Sequence, residues 1–223
     1  MDIFDTFFNL PVLIRTFPLL MAGLWITIQL GVVSIIAGLV LGMVLALVRL
    51  YAATWLQVIA KLYINFMRSI PLLVLLIIIY YALPFVGIRL SPFMSAVSAL
   101  SLVSAAYMAE IFRAGIEAIP KGQFEASSAL GLGYRHMMVD VILPQAIRIV
   151  IPPLTNNCIN VIKDTALASV VAMPDLLKQA TQAQALAANP SPLIGAAIIY
   201  VAFLWPLVAA VSRLERSYAK ADH

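Results

Sequence analysis

Four long stretches of the chain carry no Asp, Glu, Lys or Arg: residues 17–48, 69–88, 90–109 and 179–212. A helix needs roughly 20 mainly apolar residues to cross a hydrocarbon core, and each stretch can supply them. With the apolar segment after Arg148, they predict five spanning helices, over about 19–47, 58–83, 93–116, 149–173 and 192–211. The fourth is the most polar, because Asn156, Asn157, Asn160, Lys163 and Asp164 fall within it. Residues 179–191 are polar and Ala-rich, and read as a short loop or surface helix. Neither an internal repeat nor a Gly/Ser linker divides the sequence, so 1–223 reads as a single transmembrane domain.

Composition agrees with that pattern. The chain is 63% hydrophobic and only 11% charged, whereas a soluble domain is about a quarter charged. A soluble core could not absorb so much apolar surface without leaving large exposed patches. The expected class is an all-α integral membrane protein. The first apolar run is too long for a cleaved signal, and Asp2 and Asp5 stand where a signal carries basic residues. The one cysteine, Cys158, excludes an internal disulfide framework.

Charge placement predicts orientation. With five spans and the N-terminus outside, Arg49, Lys61, Arg68, Arg113, Lys121, Arg135, Arg148, Arg213, Arg216 and Lys220 fall inside. Only Arg15, Arg89 and Lys178 fall outside, and Lys163 lies within a span. The positive-inside rule therefore gives an N-out, C-in topology.

The longest polar segment, 119–144, lies on the inner face between spans three and four. Residues 123–130 have helix-forming composition, and Gly131 suits a left-handed cap. A second short helix over 134–142 is expected to end near Pro144, giving a helix–turn–helix. Amphipathic loops that hug lipid headgroups share this general character. The residues are more particular. Glu125-Ala126-Ser127, Gly131 and Leu143-Pro144 resemble the "EAA" signature of binding-protein-dependent ABC permeases. Phe66-Met-Arg-Ser-Ile-Pro-Leu-Leu, Ala109-Glu-Ile-Phe-Arg-Ala-Gly-Ile and Lys163-Asp-Thr-Ala-Leu-Ala-Ser are similar to the polar amino-acid branch of that family. Ser127 departs from the alanine, and Val141 from the isoleucine, that the signature prefers.

The resemblance implies a permease subunit of the bacterial inner membrane that imports polar amino acids and has no catalytic chemistry of its own. It implies cytoplasmic ATPase subunits, a second permease subunit (the same or a paralogue) and an extracytoplasmic amino-acid-binding protein as partners. Glu125, Ala126, Ser127 and Gly131 would then form the helix that couples to the ATPase. Glu125 would either meet a basic group on that partner or tie its own loop together.

Polar residues within the spans are the candidates for substrate contact. A charge at mid-bilayer costs about 2.5–3.5 kcal/mol on insertion scales, so it needs a partner or a purpose. Asn156, Asn160 and Asp164 recur at helical spacing on span four; Glu110, Arg113 and Glu117 do so on span three. A zwitterionic amino acid needs an acceptor for its ammonium, which Asp164 and Glu110 can offer. Its carboxylate needs donors, such as Thr165, Asn160 and backbone amides. Alternatively, Glu110 with Arg113 ties helices together, and Arg113 and Glu117 snorkel to the interface.

Other functions lack their residues. The sequence holds no G-x-x-x-x-G-K-[ST] phosphate loop, so any ATPase is another chain. With His136 and His223 as the only histidines, neither a metal site nor a Ser-His-Asp arrangement is expected. The basic residues are explained by topology rather than by nucleic acid, and no cofactor is implied. The competing reading is an ion-coupled carrier or channel whose intramembrane acids bind protons or cations. It leaves the small-residue inner loop without a purpose.

Overall fold

The computed structural model describes residues 3–219; Asp2, Lys220 and His223 lie outside the described residues, as does the side chain of Arg216. Among the described residues the regular elements are helical. They are α1 (Ile3–Phe7), α2 (Leu10–Tyr51), α3 (Thr54–Ser69), α4 (Leu72–Ile77), α5 (Pro92–Glu117) and α6 (Lys121–Ala129). Then come α7 (Tyr134–His136), α8 (Leu143–Asp164), α9 (Leu176–Ala187) and α10 (Ser191–Ala219). Among the described residues, four helical stretches are long and apolar enough to cross a membrane, and a bent pair makes up to five. The all-α membrane class expected from the charge-free runs is the class observed.

Boundaries differ from expectation where capping and proline chemistry intervene. Helix α2 starts at Leu10, well before residue 19, because Asn9 caps it: the Asn9 Oδ1 accepts the Val12 N–H at 3.1 Å. Pro18 is absorbed inside that helix. Span two is broken, with α3 and the stretch Leu72–Val86 meeting at 101°. Pro71 lies at the break and has no N–H to continue the ladder. The second loop helix does not end near Pro144. A wide π turn, Met137–Ile142, carries α7 into α8, and the Leu143 N–H donates to the Met138 carbonyl. That wider register takes Pro144 in without a break. Span four closes in a tight 3-10 turn, Thr165–Val171, ended by Ala172 at φ 58°.

The chain forms two compact units. The first comprises Met1–Ala37, Ile70–Ser101 and Ile159–Val208. Its core joins Leu20, Leu176, Ala180 and Ala196. Gly23 of α2 sits so close to α9 that a Cβ there would meet the Leu176 Cα at 2.8 Å. The Asn9 N–H donates to the Ser191 Oγ at 2.9 Å, joining the starts of α2 and α10.

The second unit comprises Gly38–Ser69, Leu102–Cys158 and Ala209–His223. Its core joins Ala46, Ile64, Ala106 and Ala109. Gly38 and Gly42, one helical turn apart on α2, let α5 approach closely, the small-xxx-small packing of membrane helices. A Cβ on Gly42 would lie 2.8 Å from the Met108 Cβ and 3.0 Å from the Ala105 carbonyl oxygen. Gly42→Leu is therefore expected to lower stability by about 1–3 kcal/mol, the usual cost of overpacking. A fall in the thermal midpoint of the purified protein checks it. Gly122→Ala, where a Cβ meets open space, should leave the midpoint in place.

Candidate functional site

In the first unit, Asn160, Lys163 and Asp164 are exposed at the end of α8. Asp164 borders an apolar crease made by Leu72 and Leu76 of α4 with Ala96 and Leu100 of α5. The Tyr81 hydroxyl donates to the Val170 carbonyl at 3.3 Å and fixes the turn that follows Asp164. Thr165 is fully buried, and its hydroxyl donates to the Ile162 carbonyl at 2.6 Å. It supports the turn from behind and does not share the exposed face. Asn156, also exposed, precedes Asn160 by one turn of the same helix. Asn157 points elsewhere, donating to the Ser104 Oγ at 3.2 Å. An exposed face of two asparagines, a lysine and an aspartate on a spanning helix cannot be left in hydrocarbon. It needs water or another protein surface.

Glu110 is differently placed. In the second unit it is ion-paired with Arg49 of α2 and with Arg113 at 2.7 Å, and Arg113 also pairs with Glu117. Both carboxylate oxygens of Glu110 are thus occupied. Nearby, the Arg68 guanidinium lies 5.5 Å over the Tyr107 ring, a cation–π contact between α3 and α5.

The loop is also built in the second unit. Phe124 of α6 packs on a cluster of Ile119, Met137, Ile142 and Ala146, so the loop helix rests on the start of α8. The Gln145 Nε2 reaches the Gln123 Oε1 at 3.4 Å, adding a polar link. Gly131 has φ 74°, the left-handed cap expected from sequence. Leu132 N–H donates to Ser127 O at 3.1 Å and Gly131 N–H to Ser128 O at 3.0 Å, which completes a Schellman motif. Glu125 and Ala126 are exposed, as are Ser128 and Leu130. Ser127 is buried, and its hydroxyl donates to the Gln123 carbonyl at 2.7 Å. Glu125 makes no ion pair among the described residues.

A cavity of about 480 Å³ opens in this unit among Met43, Leu47, Phe112, Met138, Val150 and Leu154. Apart from the tyrosines Tyr51 and Tyr134 its lining is apolar, and it carries no charged group to meet an ammonium or a carboxylate.

Sequence reasoning missed three features. Arg49, placed only as a topological anchor, is the partner of Glu110. Asp175 caps α9, a start that the Asp-Leu-Leu-Lys order could have signalled. The Gly38-x-x-x-Gly42 spacing was visible but unused.

An all-helical, multi-span chain with a polar helix face and an exposed, capped loop helix has the build of a membrane transport subunit. Residues 38–220 match the family described as the binding-protein-dependent transport system inner membrane component, and the chain belongs to that family. It is 41% identical over 207 residues to the arginine transport system permease protein ArtQ of Bacillus subtilis, covering 92% of this chain and 94% of that one. The probable amino-acid ABC transporter permease protein YckA of the same bacterium is 44% identical over 173 residues, with 78% and 76% covered. A crystal structure of an amino acid ABC transporter with histidines matches with a TM-score of 0.87 at 35% identity, covering 92% of this chain and 96% of that one. The protein is thus a multi-pass inner-membrane transport subunit, not an enzyme. Its family implies an ATPase, a further permease subunit and a binding protein as partners.

Proposed function

We propose that the chain is the permease subunit of an ATP-driven importer of polar amino acids, working as one permease domain with an N-out, C-in topology. What carries this reading is the loop helix α6, exposed on one side and packed on the other against the start of α8. The same α8 bears Asn160 and Asp164 at its far end. A push on α6 by a cytoplasmic ATPase would reach the polar face through one continuous helix. Asp164 takes the substrate ammonium or a basic side chain, and Asn160 meets the carboxylate. Thr165 holds the turn in place, and Glu110 braces helices rather than touching substrate. A second permease copy or paralogue covers the polar face, and an extracytoplasmic binding protein delivers the amino acid.

Tagged protein extracted gently from its native membrane is expected to bring down a nucleotide-binding subunit. Vesicles holding that complex should take up radiolabelled polar amino acids only with ATP and the binding protein. Asp164→Asn should cut uptake about tenfold, the loss of ~1.4 kcal/mol of differential binding. Recovery of the chain alone, transporting without ATP, would replace this reading with an ion-coupled carrier.

A further inference from the structure

The cavity of about 480 Å³ in the second unit has no part in the polar chemistry of transport. It is a crevice between three helix faces. Helix α2 lends it Met43, Leu47 and Tyr51, spaced by four residues along one side of that helix. Phe112 and Ile116 of α5 form the second wall, and α8 forms the third from Leu143 to Leu154. On α8, Ile147 and Ile151 each precede Asn156 and Asn160 by about two and a half turns, so they face away from that polar side. The crevice therefore lies off the proposed substrate path.

Its walls and its length decide what can fill it. Water finds too few hydrogen-bond partners in an apolar cavity to stay there. Left empty, the lining forfeits its van der Waals contacts. A hydrocarbon chain suits the space, and this membrane protein is surrounded by them. At a rise of about 1.5 Å per residue, the α2 wall from Met43 to Tyr51 runs about 12 Å and the α8 wall about 16 Å. One leaflet contributes about 15 Å, half of the hydrocarbon core. The crevice matches the depth of a single leaflet.

Polarity is confined to one end. Tyr51 and Tyr134 are 53% and 62% exposed, and their hydroxyls meet at the mouth. Tyrosines favour the headgroup level of a bilayer. The residue after Tyr134, Arg135, is exposed and makes no ion pair among the described residues. Arg49 and Arg113, by contrast, are committed to Glu110. A free guanidinium beside a tyrosine-rimmed mouth complements a phosphate. We propose that the crevice is a site for one anionic phospholipid, its acyl chain against Leu47 and Ile147 and its phosphate at Tyr134 and Arg135. That this lipid comes from the inner leaflet rests on the N-out, C-in reading; the site itself does not.

The test is photolabelling of the protein as it purifies from its native membrane, placed in vesicles of phosphatidylglycerol and phosphatidylcholine. One lipid or the other carries a diazirine on its acyl chain. Adducts are expected at Met43, Leu47 and Ile151, roughly fivefold more from phosphatidylglycerol, the worth of one basic contact. Arg135→Gln should bring the two lipids within about twofold of each other while the adducts remain. Leu47→Trp with Ile147→Trp, both at exposed positions of the lining, should fill the crevice and abolish the adducts at Met43 and Ile151. If that double variant does not assemble, the headgroup preference and its loss in Arg135→Gln still decide. Equal labelling by both lipids in the wild type, or a preference untouched by Arg135→Gln, overturns the site. Adducts seen in the isolated chain but not in the assembled complex would assign the crevice to a second permease copy and overturn it too. The readout needs neither ATP nor substrate, so failure of the importer reading would leave it standing.

Discussion

Glu110→Ala is expected to destabilise the second unit by about 3 kcal/mol, because it removes the carboxylate paired with the Arg49 guanidinium inside packed helices. The side chains of Arg49, Glu110 and Arg113 are only 20%, 17% and 23% exposed, so water screens them weakly. The ion pair spans α2 and α5, whose close approach at Gly38 and Gly42 places Arg49 within reach. A charge left there must be pulled toward the interface or neutralised, and either response disturbs Ala46, Ala106 and Ala109 in the adjoining core. The measurement is the thermal midpoint of the detergent-extracted protein, with the monodisperse yield as a second readout. At this chain length, 3 kcal/mol corresponds to a fall of about 6–12 °C.

A double variant separates charge from packing. Breaking a buried pair costs more than replacing both partners with apolar groups of similar size. Arg49→Met with Glu110→Leu should thus recover much of the midpoint lost in Glu110→Ala. Equal losses in the single and double variants would mean that Glu110 acts by something other than neutralising Arg49. Since the ion pair consumes its carboxylate, Glu110→Gln should alter stability more than substrate selection, the reverse of what is expected for Asp164.

What the sequence reveals here follows from which interactions are local. Charge-free runs mark the spans because hydrocarbon excludes charge whatever the neighbours are. Gly131 announces a cap because its backbone constraint acts within a turn, and its φ follows. The break at Pro71 interrupts a span that its charge-free run alone marks as continuous. Pro144 misleads by the same logic: a widened turn upstream removes the need for its missing N–H. Arg49 and Glu110 lie on different helices, so only the packing of α2 on α5 reveals them as partners. Thr165 follows Asp164 directly in sequence, yet it turns into the core while Asp164 stays exposed. Adjacent residues point about 100° apart in an α-helix and about 120° apart in the 3-10 turn that begins at Thr165, so neighbours in sequence need not share a face.

The loop gives the second large effect. Gly131→Val is expected to lower ATP-driven uptake by the proposed importer on the order of a hundredfold, the equivalent of ~2.7 kcal/mol. At φ 74° an L side chain is strained, and a β-branched one most of all. To relieve that strain the chain must leave the left-handed region, which breaks the Leu132–Ser127 and Gly131–Ser128 hydrogen bonds that end α6. The helix then loses the fixed end that sets how Glu125 and Ala126 are presented. A Cβ on Gly131 meets nothing within 4 Å in this chain, so the strain is one of backbone rather than of crowding. Asparagine tolerates the left-handed region better than other side-chain-bearing residues, and this separates two causes. If Gly131→Asn keeps uptake within about twofold of the wild type while Gly131→Val loses it, backbone conformation is what the loop requires. If both variants lose uptake while the purified chain keeps its thermal midpoint, the missing side chain matters to a partner surface, and the ATPase lies against Gly131 itself.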